Sequence, residues 1–251
     1  MRYFETHCHL DFANYKKDRD AVIKRCLKEG VEHFINVGID EKTSAASVEL
    51  AEKYPQFYAA AGYHPHEAAK FDEQKLLRFL THPRIVALGE IGLDYYRNLC
   101  PKNTQLEVFE TQIVIAMERQ LPLIIHNREA DEDCLKLLEK HSPEKVVFHC
   151  YSGDLSMAER IWEKGWNTSF TGAVTYPNNR MTDIIRLAPP DRIMIETDSP
   201  FLAPQAIRGK RNDPAMLRYV LEKISEIRRE APKQIGEAIF NNSCDFFIKK
   251  A

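Results

Sequence analysis

Tyr3-Phe4-Glu5-Thr6-His7-Cys8-His9-Leu10 opens the chain with a short strand-like run that ends in two histidines one residue apart. Side chains alternate faces along a strand, so His7 and His9 share one face and Cys8 takes the other. An open, doubly wound sheet would place a Gly-rich phosphate loop after its first strand. Here that position holds His7-Cys8-His9. The same event recurs further along the chain. Ile85-Val86-Ala87-Leu88 leads to Glu90, Leu123-Ile124-Ile125 to His126, Val146-Val147-Phe148 to His149, and Ile193-Met194-Ile195-Glu196 to Asp198. Core packing does not call for a metal-capable residue at the same end of strand after strand. A metal centre at one mouth of a barrel does.

Strand patterns lie near residues 2–7, 33–37, 57–62, 85–89, 122–126, 145–149, 167–171 and 192–196. Helical stripes fill most gaps, as in Ala21-Val22-Ile23 with Cys26-Leu27 and Val108-Phe109 with Ile113 and Ala116-Met117. Apolar strands alternating with helices predict a parallel sheet covered on its outer face. About eight such units in a chain of this length predict a TIM-type (β/α)8 barrel. Past residue 200 a Pro-punctuated loop precedes a stripe of Leu217, Val220-Leu221, Ile224 and Ile227, and a last helix is predicted over 232–247. The barrel thus carries extra C-terminal helices. No linker or low-complexity segment interrupts the pattern, so residues 1–251 read as a single domain.

Composition narrows the function. The formal net charge is −2, unlike a protein that holds nucleic acid on a broad basic face. A phosphate-bearing substrate would have to be met locally, by metal ions and a few cations. Six cysteines (Cys8, Cys26, Cys100, Cys134, Cys150 and Cys244) show no CxxC pairing, and read as thiols in a reducing compartment. Cys8 and Cys150 adjoin candidate ligands but should face the helix layer. There is no apolar run of membrane-spanning length and no signal-like region before the first strand. The expectation is a cytoplasmic monomer with no membrane association and no obligate protein partner.

His7 and His9 can offer two imidazoles to one ion, and Glu90 can bridge two ions. His126 and His149 would complete a second set, while Asp198 would ligate the first ion and deprotonate an attacking water. Imidazole ligands weight the choice toward zinc or manganese, with magnesium also compatible.

These residues lie in a series of motifs that resembles the TatD family of metal-dependent hydrolases. The series runs Phe4-Glu5-Thr6-His7-Cys8-His9-Leu10-Asp11, Gly62-Tyr63-His64-Pro65-His66, Gly89-Glu90-Ile91-Gly92-Leu93-Asp94-Tyr95-Tyr96, Ile125-His126-Asn127-Arg128, His149-Cys150-Tyr151-Ser152-Gly153 and Glu196-Thr197-Asp198-Ser199-Pro200. A late basic loop, Arg208-Gly209-Lys210-Arg211-Asn212-Asp213-Pro214, completes it. The resemblance covers residues 1 to about 247. It implies a TIM-type barrel with two divalent ions per chain, magnesium, manganese or zinc. His7, His9, Glu90 and Asp198 would hold one ion, and Glu90, His126 and His149 the other. The activity it implies is phosphodiester hydrolysis through a two-metal-activated water, typically by a deoxyribonuclease acting on single-stranded DNA. Some relatives are linked to other hydrolyses, such as aminoacyl-tRNA deacylation, and a small-molecule esterase or lactonase is a further alternative. Two departures stand out: Glu5, where the family usually has Asp, and Asp245, where it commonly has Arg.

Substrate contacts can also be assigned. His64 and His66 share a face after the third strand and would donate to a phosphate or its leaving oxygen, which makes His64 a catalytic candidate beside Glu90 and Asp198. Arg208, Lys210, Arg211 and Arg128 supply cations suited to phosphate oxygens. Asp94 would steady a ligand histidine or a water. Tyr95, Tyr96, Tyr151 and Tyr176 could stack on bases.

Overall fold

The computed structural model describes residues 1–248. Residues 249–251, the end of the expected single domain, lie outside the described residues. The strands are β1 (Tyr3–Cys8), β2 (Val31–Val37), β3 (Phe57–Ala61), β4 (Ile85–Asp94), β5 (Leu123–Arg128), β6 (Val146–Phe148), β7 (Asn167–Phe170) and β8 (Ile193–Ile195). They form one sheet in chain order, β1 to β8. The chain after β8 returns to β1: Thr6 Oγ1 donates to the Ile195 carbonyl at 3.0 Å, and Cys8 bridges to Ser199 in parallel. This is the (β/α)8 barrel order expected from the alternation. Among the described residues no helix is long and apolar enough to cross a membrane.

Two compact units divide the chain, one made of Met1–Asn36 with the residues from Cys150 onward, the other of Val37–His149. In the first unit, β1 pairs with β2 and β7 with β8. Its helices are α1 (Arg19–Lys28), before the gap to the second unit, and after it α6 (Leu155–Glu163), α7 (Thr182–Leu187), α8 (Leu217–Arg228) and α9 (Pro232–Phe247). The α8 stripe read from sequence is buried in full, from Leu217 through Val220, Leu221 and Ile224 to Ile227. The last helix starts at Pro232, whose missing N–H costs nothing at a first helical position. It packs Phe240 and Phe247 against Phe4 of β1, with ring centroids 6.4 and 6.0 Å apart.

The second unit holds β3 to β6, with α2 (Glu41–Lys53), α3 (Glu73–Phe79), α4 (Lys102–Arg119) and α5 (Asp131–His141). Asp40 opens α2 with a capping box, accepting from Thr43 N at 2.8 Å while Thr43 Oγ1 accepts from Asp40 N at 3.0 Å.

β4 departs from expectation. The sequence pattern stops it near residue 89 and puts Glu90 at its end, but the strand runs on to Asp94 with Glu90 in its interior. Gly89 and Gly92 allow close approach to β5. A Cβ on Gly92 would lie 1.9 Å from the His126 carbonyl oxygen, and its φ of +138° suits glycine alone. The β4–β5 register shifts between Leu88 and Ile91 at this point. Ile91 and Leu93, both buried, keep the run apolar enough to continue.

Helix α4 holds the backbone around the candidate site from behind. Gln112 accepts from Tyr63 N at 2.8 Å and donates to Tyr63 O at 3.1 Å, next to His64. Gln105 accepts from Asp94 N at 2.8 Å and donates to Asp94 O at 3.2 Å. Both side chains are fully buried and stand seven residues apart on one helix face. Each does for an irregular segment what a neighbouring strand does in a ladder. Replacing Gln112 by Leu should destabilise the chain by about 1–3 kcal/mol, because Tyr63 loses its buried partner. The shift in a urea unfolding midpoint measures this, and an unchanged midpoint would contradict the role.

Candidate metal centre

In the first unit, strand alternation brings the HxH pair together as expected. His7 Nε2 and His9 Nε2 stand 3.2 Å apart, and Asp198 Oδ1 lies 3.5 Å from His9 Nε2 and 3.9 Å from His7 Nε2. The three residues form a compact donor group. A tetrahedral ion with nitrogen and oxygen ligands at about 2.0–2.2 Å sets its donors about 3.3–3.6 Å apart. The observed triangle, with sides of 3.2, 3.5 and 3.9 Å, brackets that spacing. Two imidazole nitrogens facing each other at 3.2 Å also need a proton or a cation between them.

Asp198 does not sit on a regular strand. Its φ is +52°, a left-handed backbone that disfavours most side chains and that Asp tolerates better than most. Hydrogen bonds hold it there: Asp198 N donates to the His7 carbonyl at 3.0 Å, and His9 N to the Ser199 carbonyl at 2.9 Å. Beneath them lies Glu5, fully buried. Its Oε1 accepts from His7 N at 3.1 Å and Thr197 N at 3.0 Å, and its Oε2 shares a 2.5 Å hydrogen bond with Thr197 Oγ1. Burial pushes this carboxyl up to about 8, against the pull of the Thr197 and His7 hydrogen bonds. Glu196, also buried, accepts from Cys150 N at 2.6 Å and so holds the turn that follows His149.

In the second unit Glu90 Oε1 is the hub. It lies 2.9 Å from His126 Nδ1, 2.9 Å from His149 Nε2 and 3.6 Å from His64 Nε2. The two nearer nitrogens are 3.4 Å apart. Burial by itself would raise the Glu90 carboxyl, but the imidazoles, His149 and His64 foremost, hold it well below the usual range. His126 has a carboxylate on each side, since its Nε2 lies 3.1 Å from Asp94 Oδ2. Asp94 therefore takes the histidine-steadying place the sequence suggested. It orients the ring and leaves Nδ1 facing Glu90 and His149, the pattern by which a carboxylate sets up a ligand histidine. Burial would lower His126, yet its bonds to Asp94 and Glu90 raise it. Burial would likewise raise Asp94, whose bonds from His126 and Arg97 N hold it below the usual carboxylate range.

His64 and His66 leave β3 together and begin a 3-10 helix over Pro65–Lys70. His66 Nε2 reaches Asp94 Oδ2 at 3.0 Å, and the His64 and His126 rings are 4.4 Å apart. Burial holds His64 well below the usual imidazole range, with His126 and His66 adding to it against the pull of Glu90. His64 is therefore a neutral hydrogen-bond donor, not a cation.

The predicted cations fare differently from one another. Arg128 is exposed and lies 3.9 Å over the ring of Tyr96, itself 57% exposed. Arg208 lies 4.3 Å over Tyr176, and Lys210 is exposed. Arg211 is engaged at both terminal nitrogens by Asp18, at 2.9 and 2.6 Å, and also donates to the Asn14 carbonyl. Of the tyrosines, Tyr151 is buried and donates to the Asp154 carbonyl, so it packs. Tyr95 bonds Asp133 at 2.8 Å. Two aromatics escaped the sequence reading. Phe12 stacks on His9 with centroids 4.7 Å apart, and Phe201, 50% exposed, meets Phe12 edge-on at 6.2 Å. Their place beside the ligand motifs, three residues after His9 and after Asp198, was the available signal.

Residues 4–248 match the family model described as TatD related DNase. The chain belongs to the TatD family. It is 38% identical over 250 residues to the metal-dependent hydrolase YabD of Bacillus subtilis, itself described as uncharacterized, covering 97% of this chain and 98% of that one. It is 30% identical to the 3'-5' ssDNA/RNA exonuclease TatD of Salmonella typhimurium over 255 residues, 97% and 98% of the two chains. Among solved structures, the TatD homologue YjjV of Escherichia coli superposes with a TM-score of 0.93 at 30% identity, over 99% of both chains. The protein is a TatD-family metal-dependent hydrolase with a TIM-type barrel fold.

The state of Glu5 carries a pH signature. The folded chain favours its neutral form, so the stabilisation is fully present below the ordinary value of 4.5 and is lost as pH rises through about 8. The melting temperature of the metal-free protein should fall as pH rises from about 4.5 to about 8 and level off above that, and Glu5→Gln should flatten that slope. An equal slope in the variant would place the titration elsewhere.

Proposed function

We propose that this TatD-family hydrolase is a metal-dependent deoxyribonuclease that cuts phosphodiester bonds of single-stranded DNA in an exonuclease-like manner. One observation carries the reading. Two compact donor groups, His7/His9/Asp198 and Glu90/His126/His149, are complete in a chain with 30% identity along nearly its whole length to a 3'-5' ssDNA/RNA exonuclease. We assign one divalent ion (magnesium, manganese or zinc) to each group. Bound there, such ions acidify a water and polarise a phosphoryl oxygen.

The chain's own residues then have distinct tasks. Asp198, the partly exposed member of its group, accepts the proton of the attacking water. Glu90 keeps its negative charge among the imidazoles and so holds the second group together. His64 donates a hydrogen bond to the phosphoryl or leaving oxygen while staying neutral, and His66, steadied by Asp94, stands beside it. Arg128 on Tyr96 and Arg208 on Tyr176 present guanidinium groups backed by aromatic rings, a form suited to phosphate and base together. Lys210 adds charge to the same loop. Arg211 supports that loop through Asp18. Phe12 and Phe201 offer an apolar ledge for a base.

Asp198→Asn should keep the fold and lower turnover on a single-stranded oligonucleotide by at least about a hundredfold, the typical scale for a lost general base. End-labelled substrate and metal-reconstituted protein provide the measurement, and near-native turnover would remove Asp198 from that role. Phe201→Ala should raise KM for the same oligonucleotide by about five- to a hundredfold, as expected for one lost stacking contact. Unchanged KM would show that the ledge does not touch the substrate.

A further inference from the structure

Glu5 stands out among the buried titratable groups that the proposed reaction does not use. It takes no place in either donor group and is fully buried. Its two oxygens serve three donors on two separate segments. His7 N belongs to β1 and the HxH pair, whereas Thr197 N and Thr197 Oγ1 belong to the turn after β8. Thr197 Oγ1 also accepts from Ser199 N at 3.2 Å, so the hydroxyl spans Asp198 from one side to the other. Asp198 holds a left-handed backbone and donates to the His7 carbonyl. The carboxyl thus sits where the segment carrying two candidate ligands meets the segment carrying the third. A side chain one methylene shorter would draw the carboxyl back by about 1.5 Å, too far to serve all three donors without moving the backbone.

We propose that Glu5 is a positioning residue: through Thr197 it fixes where Asp198 stands relative to His7 and His9. It rests on the reading of those three residues as metal ligands. The role belongs to the hydrogen-bonding shape of the side chain, not to its charge. An amide in its place keeps all three contacts: its oxygen accepts from His7 N and Thr197 N, and its nitrogen donates to Thr197 Oγ1, which then accepts where it had donated.

Titration of the metal-free full chain with cobalt(II), followed by visible absorption, tests this without any substrate. The phase that Asp198→Asn removes belongs to His7, His9 and Asp198. Glu5→Ala and Thr197→Val should each weaken that phase by about ten- to a hundredfold and shift its absorption bands, the scale of disturbing a ligand's support. Glu5→Gln should stay within about threefold of the native chain, and the remaining phase should be unchanged in all three. Thr197→Val removes a hydroxyl without opening a cavity, so it decides the matter even if Glu5→Ala does not fold. A native cobalt phase in Thr197→Val, with only the melting temperature lowered, would overturn the positioning role and leave the ligands standing. If Asp198→Asn removes no phase, the ligand reading itself falls and the proposal with it.

Discussion

A negative charge taken out of water sets the terms for the second unit. Glu90 is buried, and an isolated carboxylate in that position would neutralise itself or destabilise the fold. It remains ionised because nitrogens of His126, His149 and His64 stand within 2.9–3.6 Å of one oxygen. That requirement reaches outward. His126 must be oriented, and Asp94 does so from its far side. Asp94 in turn must be held, and Gln105 holds its backbone. The glycines around Glu90 let β4 come close enough to β5 for the carboxylate and the imidazole to meet. Loss of any one of these supports would leave a buried charge poorly paired, so the parts depend on each other more than on the sheet they stand on.

The first unit meets a similar need by different means. His7, His9 and Asp198 are brought together by backbone, with Asp198 N on the His7 carbonyl and His9 N on the Ser199 carbonyl. The left-handed conformation of Asp198 persists because both of its flanks are tied down. Glu5 is the side-chain fastener under that zip. Its carboxyl is pushed toward neutrality by burial, where Glu90 is drawn toward full charge by its neighbours. Two acids of the same type, both buried, therefore occupy opposite states. What surrounds them decides it: amide and hydroxyl donors in one case, imidazoles in the other.

Much of this was legible in the sequence because it repeats. Alternating strand and helix patterns predicted the barrel order, the α8 stripe was buried as read, and the last helix spans 232–247 as expected. The ligand residues announced themselves by type and by place, each at or just past an apolar run. Where the reading failed, the cause was local chemistry that mimics something else. Gly89 looked like the end of β4 and is instead a point of close approach inside it. Arg211 looked like a free cation and is paired with Asp18, since a charge cluster does not reveal which member has a partner from a distant segment. Gln105 and Gln112 were not singled out, because a glutamine in a helix does not show locally that its amide pairs with the backbone of a distant segment.

The sequence by itself determined the fold class and the family, because both rest on periodicity and on short motifs that need no knowledge of three-dimensional contacts. It also determined which residues could bind metal, since ligand chemistry belongs to the side chain. Only the tertiary structure decided which of them form closed triangles, which carboxyl is charged and which is neutral, and which arginine is paired with a distant carboxylate. Those properties depend on distances between residues far apart in the chain and on the water excluded around them. Glu5 and Thr197 are 192 residues apart in sequence and meet at 2.5 Å, a fact that no local pattern encodes.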